Sequence, residues 1–529
     1  MDTGRLAAAA GVARRTALPA GVGLAAAIGG GLLYVPAGVA AGTGPQAPLA
    51  YLLAGGGITC LAVAFAVVVG GPFADRGPVY GAVTRVWGSR RAGALAAWPA
   101  LAAYVALLAL FAEWFGRFAP LPRSTGAYVS GALDAPTGLA AILGVSSATP
   151  LLENAVAVGV CLVALAVHLA GRRVAMGWAA ALSWTVVAVL AGLLGVAFFP
   201  GVGEFVAGNF DPLYPTSGLQ DAPVRSLVGG VGAALFALVG VEAAAYAAEG
   251  EEGSETAAPV VAAVVVAGLL TLTSLVALGV VDWVRLNLAD IPAADAIGAY
   301  LPIDPLTLTV AVSVVAGLAA IVAVGVPASR TLAGLAELYP PLADDPAGQP
   351  TRSLVVVYLV AAALAVADLV APALYVAVPG LALSYLAVAV TVVAMPSRRP
   401  DLWRAGSIRP TSVGGRLTRY AAVGVAATMF GMALTSDPAT TLGLTLHRVS
   451  LSVFEFQLVS DPLGGHVPAL VAWELLGAGL YVVLRDYRAS VGATLTPLEV
   501  EEEADGDTSD ADREDTDHDD ADSGRAAEP

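Results

Sequence analysis

The sequence has no lysine and few charged residues of any kind. All 26 of its basic residues are arginine, and charged residues make up only 13% of the 529-residue chain, whereas soluble globular domains average about 25%. Hydrophobic residues make up 57%. This balance excludes an ordinary soluble protein, because too few polar side chains are available to cover a solvated surface. The composition indicates an integral membrane protein.

Residues that would build a metal or nucleotide site are also scarce. The two cysteines, Cys60 and Cys161, fall inside apolar runs, where a free thiol behaves as a small hydrophobe. The four histidines show no ligand spacing to one another or to cysteine, and no Gly-x-x-x-x-Gly-Lys loop is present for ATP. We therefore expect no disulfide, metal, organic cofactor or nucleic-acid partner. We also expect no enzymatic activity, because no nucleophile and base fall at one membrane depth.

Apolar runs of membrane-spanning length recur along nearly the whole chain, which favours helices over the alternating strands of a barrel. The predicted fold class is an all-α membrane protein. Its transmembrane helices, about twelve in number, are expected at residues 19–41, 47–70, 93–116, 152–170, 174–199, 226–248, 259–281, 306–328, 353–370, 373–395, 417–435 and 468–485.

The arginines give an independent check on this topology. With the N-terminus inside, nineteen arginines fall in cytoplasmic segments and five in outer ones, as the positive-inside rule requires. One missed span would invert every later loop, so the count and the orientation support each other. We expect no cleaved signal peptide. The prediction is a multi-pass protein of the cell membrane with both termini, residues 1–18 and 486–529, in the cytoplasm.

The end of the chain is strongly acidic. Residues from Glu499 to Pro529 include fifteen acidic side chains and only two arginines. A block of like charge with few apolar residues cannot form a core, so this tail is predicted to be disordered. Together with the exclusive use of arginine, the tail suggests a halophilic source, since salt at 1 M screens charges beyond about 3 Å.

The first span carries three consecutive glycines, Gly29, Gly30 and Gly31, at its middle. Each interior glycine costs about 1 kcal/mol of helix relative to alanine. Backbone freed at membrane depth is tolerated only where it is buried in protein or lines a cavity. Two interpretations stand. The glycines break the helix, and free N–H groups hold an anionic substrate group, or they serve close helix packing.

The sixth span contains a second candidate break at Gly240, with Glu242 two residues later. An ionisable residue near mid-membrane costs about 3 kcal/mol on insertion scales and marks a functional site by default. Glu242 is interpreted either as a cap for the N–H groups of a half-helix or as a group that handles protons or substrate. Tyr104, near the middle of the third span, could reach the same site. Breaks five spans apart are typical of an inverted-repeat transporter.

Several segments, in order, resemble the amino acid–polyamine–organocation permeases. The matching pieces are the glycine break Ile28-Gly29-Gly30-Gly31-Leu32 where the family usually has Gly-Ser-Gly, the pair Gly240 and Glu242 of a Phe-x-Gly-x-Glu pattern, Ser329-Arg330-Thr331-Leu332 after the eighth span, and Arg399-Pro400-Asp401-Leu402 after the tenth. The resemblance implies a LeuT-like fold. Its two inverted five-helix repeats would cover residues 19–200 and 225–395, with two extra helices at 417–485.

The resemblance also implies alternating access around the two breaks. The carboxylate of the substrate would lie on the first-helix glycines, Gly29, Gly30 and Gly31. Its ammonium would face carbonyls at the end of the first half of the sixth helix, just before Gly240, namely those of Phe236, Ala237 and Val239. Phe236 would also cover the substrate as a gate.

Coupling stays open at this stage. Proton-coupled relatives can place a lysine in the fifth helix, and this chain has none. Ser183 and Thr185 in the fifth span and Ser313 in the eighth could complete a Na⁺ site, or could bond back to the preceding helical turn. These hydroxyls favour Na⁺ over H⁺. If protons drive transport, Glu242 is the candidate carrier.

The sequence therefore predicts a secondary transporter in the lipid bilayer, a permease for amino acids or related small amines, with a homodimer as a possible assembly. One alternative is an exchanger for cationic amino acids or polyamines, in which Glu242 or Glu113 pairs with the charge of the substrate. The other is a membrane sensor or accessory subunit that keeps the fold without turnover.

The predicted orientation can be tested by labelling. A cysteine introduced at Ser509 should resist an impermeant thiol reagent in intact cells and react after permeabilisation, because the tail is expected inside. A cysteine introduced at Ser130, in the predicted outer loop between the third and fourth spans, should react in both conditions. Labelling of the Ser509 variant in intact cells would reverse the topology.

Overall fold

The computed structural model describes residues 3–29, 39–40, 43–71, 73, 77–118, 148–211, 213, 223–248, 255–286, 292–338, 349–435 and 466–491. No strand occurs among them. Their α-helices are α1 (Thr3–Ile28), α2 (Ala47–Val69), α3 (Pro78–Trp87), α4 (Arg90–Phe118), α5 (Ala148–Leu169), α6 (Arg172–Val196), α7 (Pro223–Ala237), α8 (Ala243–Ala247), α9 (Ala258–Val280), α10 (Trp283–Leu286), α11 (Pro292–Tyr300), α12 (Pro305–Ala336), α13 (Thr351–Val366), α14 (Val370–Arg398), α15 (Pro400–Ala405), α16 (Val413–Thr435) and α17 (His466–Ser490).

Every helix given above lies within Met1–Thr494. Residues 495–529, which include the predicted disordered tail, lie outside the described residues.

Each of the predicted spans contains an apolar helix, although residues 30–38 of the first span lie outside the described residues. In the part of the chain that the structure describes, eight helices are long and apolar enough to cross a membrane, and shorter apolar stretches lie at Arg15–Ile28, Asn154–Leu169, Leu227–Ala237 and Thr351–Val366. The prediction of an all-α, multi-pass membrane protein is confirmed. The sixth span is divided between α7 and α8, as its glycine suggested.

Some boundaries differ from the expectation. The first helix begins at Thr3 rather than Pro19, and Pro19 lies inside it. A proline removes one backbone donor from a helix, and here buried residues on both sides, Thr16 and Ala20 among them, keep the helix continuous. The eighth span also runs further than expected, to Ala336.

Small side chains bring the helices of the core close together. A Cβ added to Gly21 of α1 would lie 2.5 Å from the Cβ of Ala180 in α6, and one added to Gly55 of α2 would lie 2.5 Å from the Cβ of Ala267 in α9. Lipid gives helices no hydrophobic reason to associate, so membrane bundles depend on such close packing. Among the eight long apolar helices of the described residues, the share of buried residues is greatest in α4, α12 and α14 and least in α17.

Helix α11 is a short helix that precedes α12. Ala293, Ala294, Ala296 and Ile297 are fully buried, whereas Ala299 is exposed. The Tyr300 hydroxyl donates to the carbonyl of Leu193 in α6 at 3.0 Å. Helix α11 is therefore packed against the bundle.

Side chains from two neighbouring helices form hydrogen bonds to α12 just before Pro327. Pro327 has no N–H, so the carbonyl four residues earlier loses its helical partner. Just before that point, the hydroxyl of Tyr358 in α13 donates to the carbonyl of Ile321 at 2.9 Å. Nε2 of His168 in α5 lies 2.9 Å from the carbonyl of Val322. Because a carbonyl only accepts, His168 is the donor.

A glycine makes room for these two side chains. A Cβ on Gly325 would collide with the Tyr358 hydroxyl and would lie 2.8 Å from Nε2 of His168. Both rings are buried. The three helices are thus joined at one place by donors that have no water to compete for them.

Gly325→Ala should therefore lower the melting temperature of the purified protein, because the added methyl group displaces two buried donors, each of which costs about 1–3 kcal/mol when left unsatisfied. Gly268→Ala in α9 is the matched control, since its Cβ would meet nothing within 4 Å. The control should be neutral or slightly stabilising. Equal melting temperatures for the two variants would contradict this account of α12.

Candidate functional site

The first helix ends at the first glycine of the predicted break. Helix α1 stops at Ile28, and Gly29 adopts a left-handed backbone with φ +44°. Its N–H still donates to the carbonyl of Ala25 at 3.2 Å, so it closes the last turn as a helix C-terminal glycine does. Gly30 and Gly31 lie outside the described residues.

The sixth span is interrupted at the predicted glycine. Helix α7 ends at Ala237, residues 238–242 form turns, and α8 begins at Ala243. Gly240 has φ +108°, a conformation that side-chain-bearing residues rarely adopt. Helical continuity would require its N–H to donate to the carbonyl of Phe236. It donates instead to Oε2 of Glu242 at 2.9 Å.

The Glu242 carboxylate therefore stabilises the break itself. The sequence interpretation placed the carboxylate on the free N–H groups of the half-helix, whereas its partner lies two residues before it. The carbonyl of Phe236 accepts from the N–H of Val239 at 3.3 Å, which is longer than the 2.9 Å bond from Gly240 to Glu242. The end of α7 is thus left with a weak turn in place of a helical hydrogen bond.

The two breaks lie against each other. A Cβ on Gly240 would lie 2.7 Å from the backbone carbon of Ala26 and the backbone nitrogen of Ala27 in α1. A Cβ on Gly23 of α1 would lie 2.8 Å from the carbonyl oxygen of Val241. The backbones of both interrupted helices therefore touch at membrane depth, and only glycine permits this distance.

Three buried tyrosines surround Glu242. The carboxyl group is 1% exposed, and the hydroxyls of Tyr104 in α4 and Tyr385 in α14 both interact with it. Within the described residues neither hydroxyl has a well-formed hydrogen bond, and Oε1 of Glu242 has none either. The Tyr104 ring packs edge-on against Tyr246 of α8, with centroids 5.8 Å apart. The sequence indicated Tyr104, but nothing in it indicated Tyr385.

An apolar pocket adjoins this cluster. The predicted gate Phe236 and Val239, whose carbonyl is predicted to face the ammonium, both line it, together with the cluster's Tyr385. The remaining lining residues are Ala103 and Leu107 of α4, Leu374, Ala377, Val378, Leu381 and Ala382 of α14, and Met429 of α16. Ala237, the third residue predicted at the end of α7, is not among them.

The hydroxyls proposed for a cation site have different surroundings. Ser183 is buried, and its hydroxyl lies 2.7 Å from the carbonyl of Gly21 in α1 and 3.1 Å from that of Ala180. Thr185 is exposed and bonds back to Ala181 of its own helix at 2.8 Å. Ser313 is buried, and its hydroxyl has no hydrogen-bond partner among the described residues. Only Ser183 is therefore bonded across to a broken helix.

Interrupted helices that meet around a buried carboxyl group, within an all-α membrane bundle, define a site of the kind found in secondary transporters. A family model described as amino acid permease matches residues 19–444. This match includes both breaks and every residue that lines the pocket. The chain belongs to this family, and the resemblance to amino acid–polyamine–organocation permeases is confirmed. No individual curated protein matches the sequence.

The family fixes the general activity. The protein is a multi-pass membrane transporter for amino acids or amines, and the family consists of transporters rather than enzymes.

Gly240→Ala should damage the site directly. An alanine at this position would have to adopt a strained backbone and would collide with the backbone of α1, so a loss of about 1–3 kcal/mol of stability is expected. Gly229→Ala, on α7 with open space around it, is the matched control. The measurements are thermal unfolding and substrate binding for both variants. Normal stability and binding in Gly240→Ala would show that the two breaks do not need to touch.

Proposed function

We propose that the protein accumulates an amino acid by a secondary, alternating-access mechanism around the contact between α1 and the α7–α8 break. The observation that supports the proposal most is the approach of the Gly240 position to the backbone of Ala26 and Ala27. A substrate held between two such breaks would touch backbone groups of both helices. Its binding would therefore be sensitive to how the helices are arranged, as alternating access requires.

The charged ends of the substrate have candidate partners at the breaks. We place the carboxylate at the glycines after α1, Gly29 to Gly31, because a helix break at these positions would offer backbone N–H groups to an anion. The N–H of Gly29 itself donates to the carbonyl of Ala25. The ammonium would face the carbonyls at the end of α7, at Phe236, Ala237 and Val239. The weak turn there supports this assignment, because the carbonyl of Phe236 has lost its helical donor to Glu242.

The repeat organisation belongs to the same proposal. Residues 19–200 and 225–395 would form the two inverted repeats, and α16 and α17 would be additions to them. The support is that α1 ends at Gly29 near the start of the first proposed repeat, and that the helix at the start of the second is interrupted at Gly240 between α7 and α8. A homodimer, and a cell-membrane location with both termini in the cytoplasm, remain predictions.

Proton coupling through Glu242 is the coupling mode that we propose. A buried carboxylate without a cationic partner is costly in a membrane, and Glu242 has no arginine within ion-pair distance among the described residues. Uptake and release of a proton would remove that cost in one step of the cycle. The hydroxyls expected to hold Na⁺ give less support, since Thr185 is exposed and bonded within its own helix.

The sequence alternatives lead to different experiments. In a cationic exchanger, Glu242 would pair with a charged substrate and no gradient would be needed. In a sensor or accessory subunit, proteoliposomes that contain only this protein would show no uptake.

Glu242→Gln should separate proton coupling from substrate binding. Glutamine keeps the shape and still accepts from the N–H of Gly240, but it carries no exchangeable acid proton. In proteoliposomes, an inward proton gradient should drive accumulation by the native protein, and the variant should lose this accumulation. Exchange of labelled for unlabelled substrate at equal pH should persist in the variant.

Glu474→Gln provides a matched control, because Glu474 is a second carboxyl group within a membrane helix, on the peripheral α17. Its accumulation should equal that of the native protein. Coupling through Glu242 would be excluded if a Na⁺ gradient alone drives uptake at equal pH, or if Glu242→Gln accumulates substrate normally.

A further inference from the structure

We propose that the substrate is a neutral amino acid with an apolar side chain, and that the pocket between α4, α7, α14 and α16 binds that side chain. The inference depends on the proposed function, since it assumes that the polar end of the substrate lies at the helix breaks. It chooses between substrate classes that the family and the sequence leave open.

The pocket continues directly from the cluster around Glu242. Tyr385 belongs to both, because its hydroxyl interacts with the carboxyl group while its side chain lines the pocket. Phe236 and Val239 border the pocket where α7 ends. A ligand with its charged groups at the break would therefore extend its side chain past Tyr385 into this space.

The chemistry of the pocket wall fits an apolar group. Tyr385 has the one polar side chain among the residues that line it, and the others are alanine, leucine, valine, phenylalanine and methionine. No acidic or basic side chain faces it in the described part of the chain. A guanidinium or a second ammonium placed there would lose its water without gaining a partner, and this cost is large.

The pocket is narrow in this conformation. The space that a water-sized sphere can enter is about 20 Å³, roughly the room that one or two water molecules need. A substrate side chain would therefore enter only as the flexible side chains of Leu107, Leu381 and Met429 move aside. Ala103, Ala377 and Ala382 occupy little volume, so such a movement would widen the space beside them.

Ligand-induced thermal stabilisation of the full-length protein in detergent tests the substrate class. The probes are L-leucine, L-phenylalanine, L-alanine, L-arginine and putrescine. Leucine and phenylalanine should raise the melting temperature at the lowest concentrations, and arginine and putrescine should have no effect.

Ala382→Leu tests whether this pocket is responsible. The larger side chain would fill the space, so the affinity for phenylalanine should fall by about tenfold or more, as when one or two methylene groups decide a fit. The affinity for alanine should change less than twofold. Ala363→Leu, the same substitution at an exposed position of α13, should leave all affinities unchanged and controls for folding.

The outcomes are distinct for the two proposals. Stabilisation by arginine or putrescine as strong as by leucine overturns the apolar class, and the transporter proposal survives. Equal phenylalanine affinities for the native protein and Ala382→Leu would move the side-chain site elsewhere. A failure of every amino acid and amine to stabilise the protein would remove the proposed function, and the inference with it.

Discussion

The N–H of Gly240 donates to the carboxylate of Glu242 instead of the carbonyl of Phe236, and the rest of the site depends on that exchange. In one continuous helix through α7 and α8, this N–H would donate to the carbonyl of Phe236, four residues earlier. With the exchange, a carboxyl group is fixed at membrane depth between Tyr104 and Tyr385, and the end of α7 lies beside an apolar pocket. The Glu242 side chain therefore stabilises the interruption and also places a polar group beside it.

Such an interruption survives in a membrane only if protein encloses it. The enclosure here comes from small residues, since Gly23 and Gly240 let the backbones of α1 and the break come into contact. Ser183 adds a hydrogen bond from α6 to the carbonyl of Gly21 on the same helix. The abundance of alanine and glycine in the sequence therefore has a structural role, because bulky side chains at these points would separate the two breaks.

Much of this arrangement could be predicted from the sequence, because its signals are local. Apolar length gives the helices, and consecutive glycines at Gly29 with the Gly240–Glu242 pair give the breaks. The role of Glu242 as a hydrogen-bond acceptor at the break was also predictable, though not its partner. Tyr385 and the pocket were not predictable, because they depend on which face of α14 turns toward α7. Thr185 shows the same limit, since its spacing from Ser183 gave no sign that it would be exposed.

The bonds from His168 and Tyr358 to the carbonyls of α12 constrain how the molecule moves. A shift of α12 by one helical turn, about 5.4 Å, would take both carbonyls away from donors that no water can satisfy. Helices α5, α12 and α13 are therefore held together at one place, close to Pro327, where α12 would otherwise bend most easily. A relative motion of the other helices would therefore have to take place around these three joined helices.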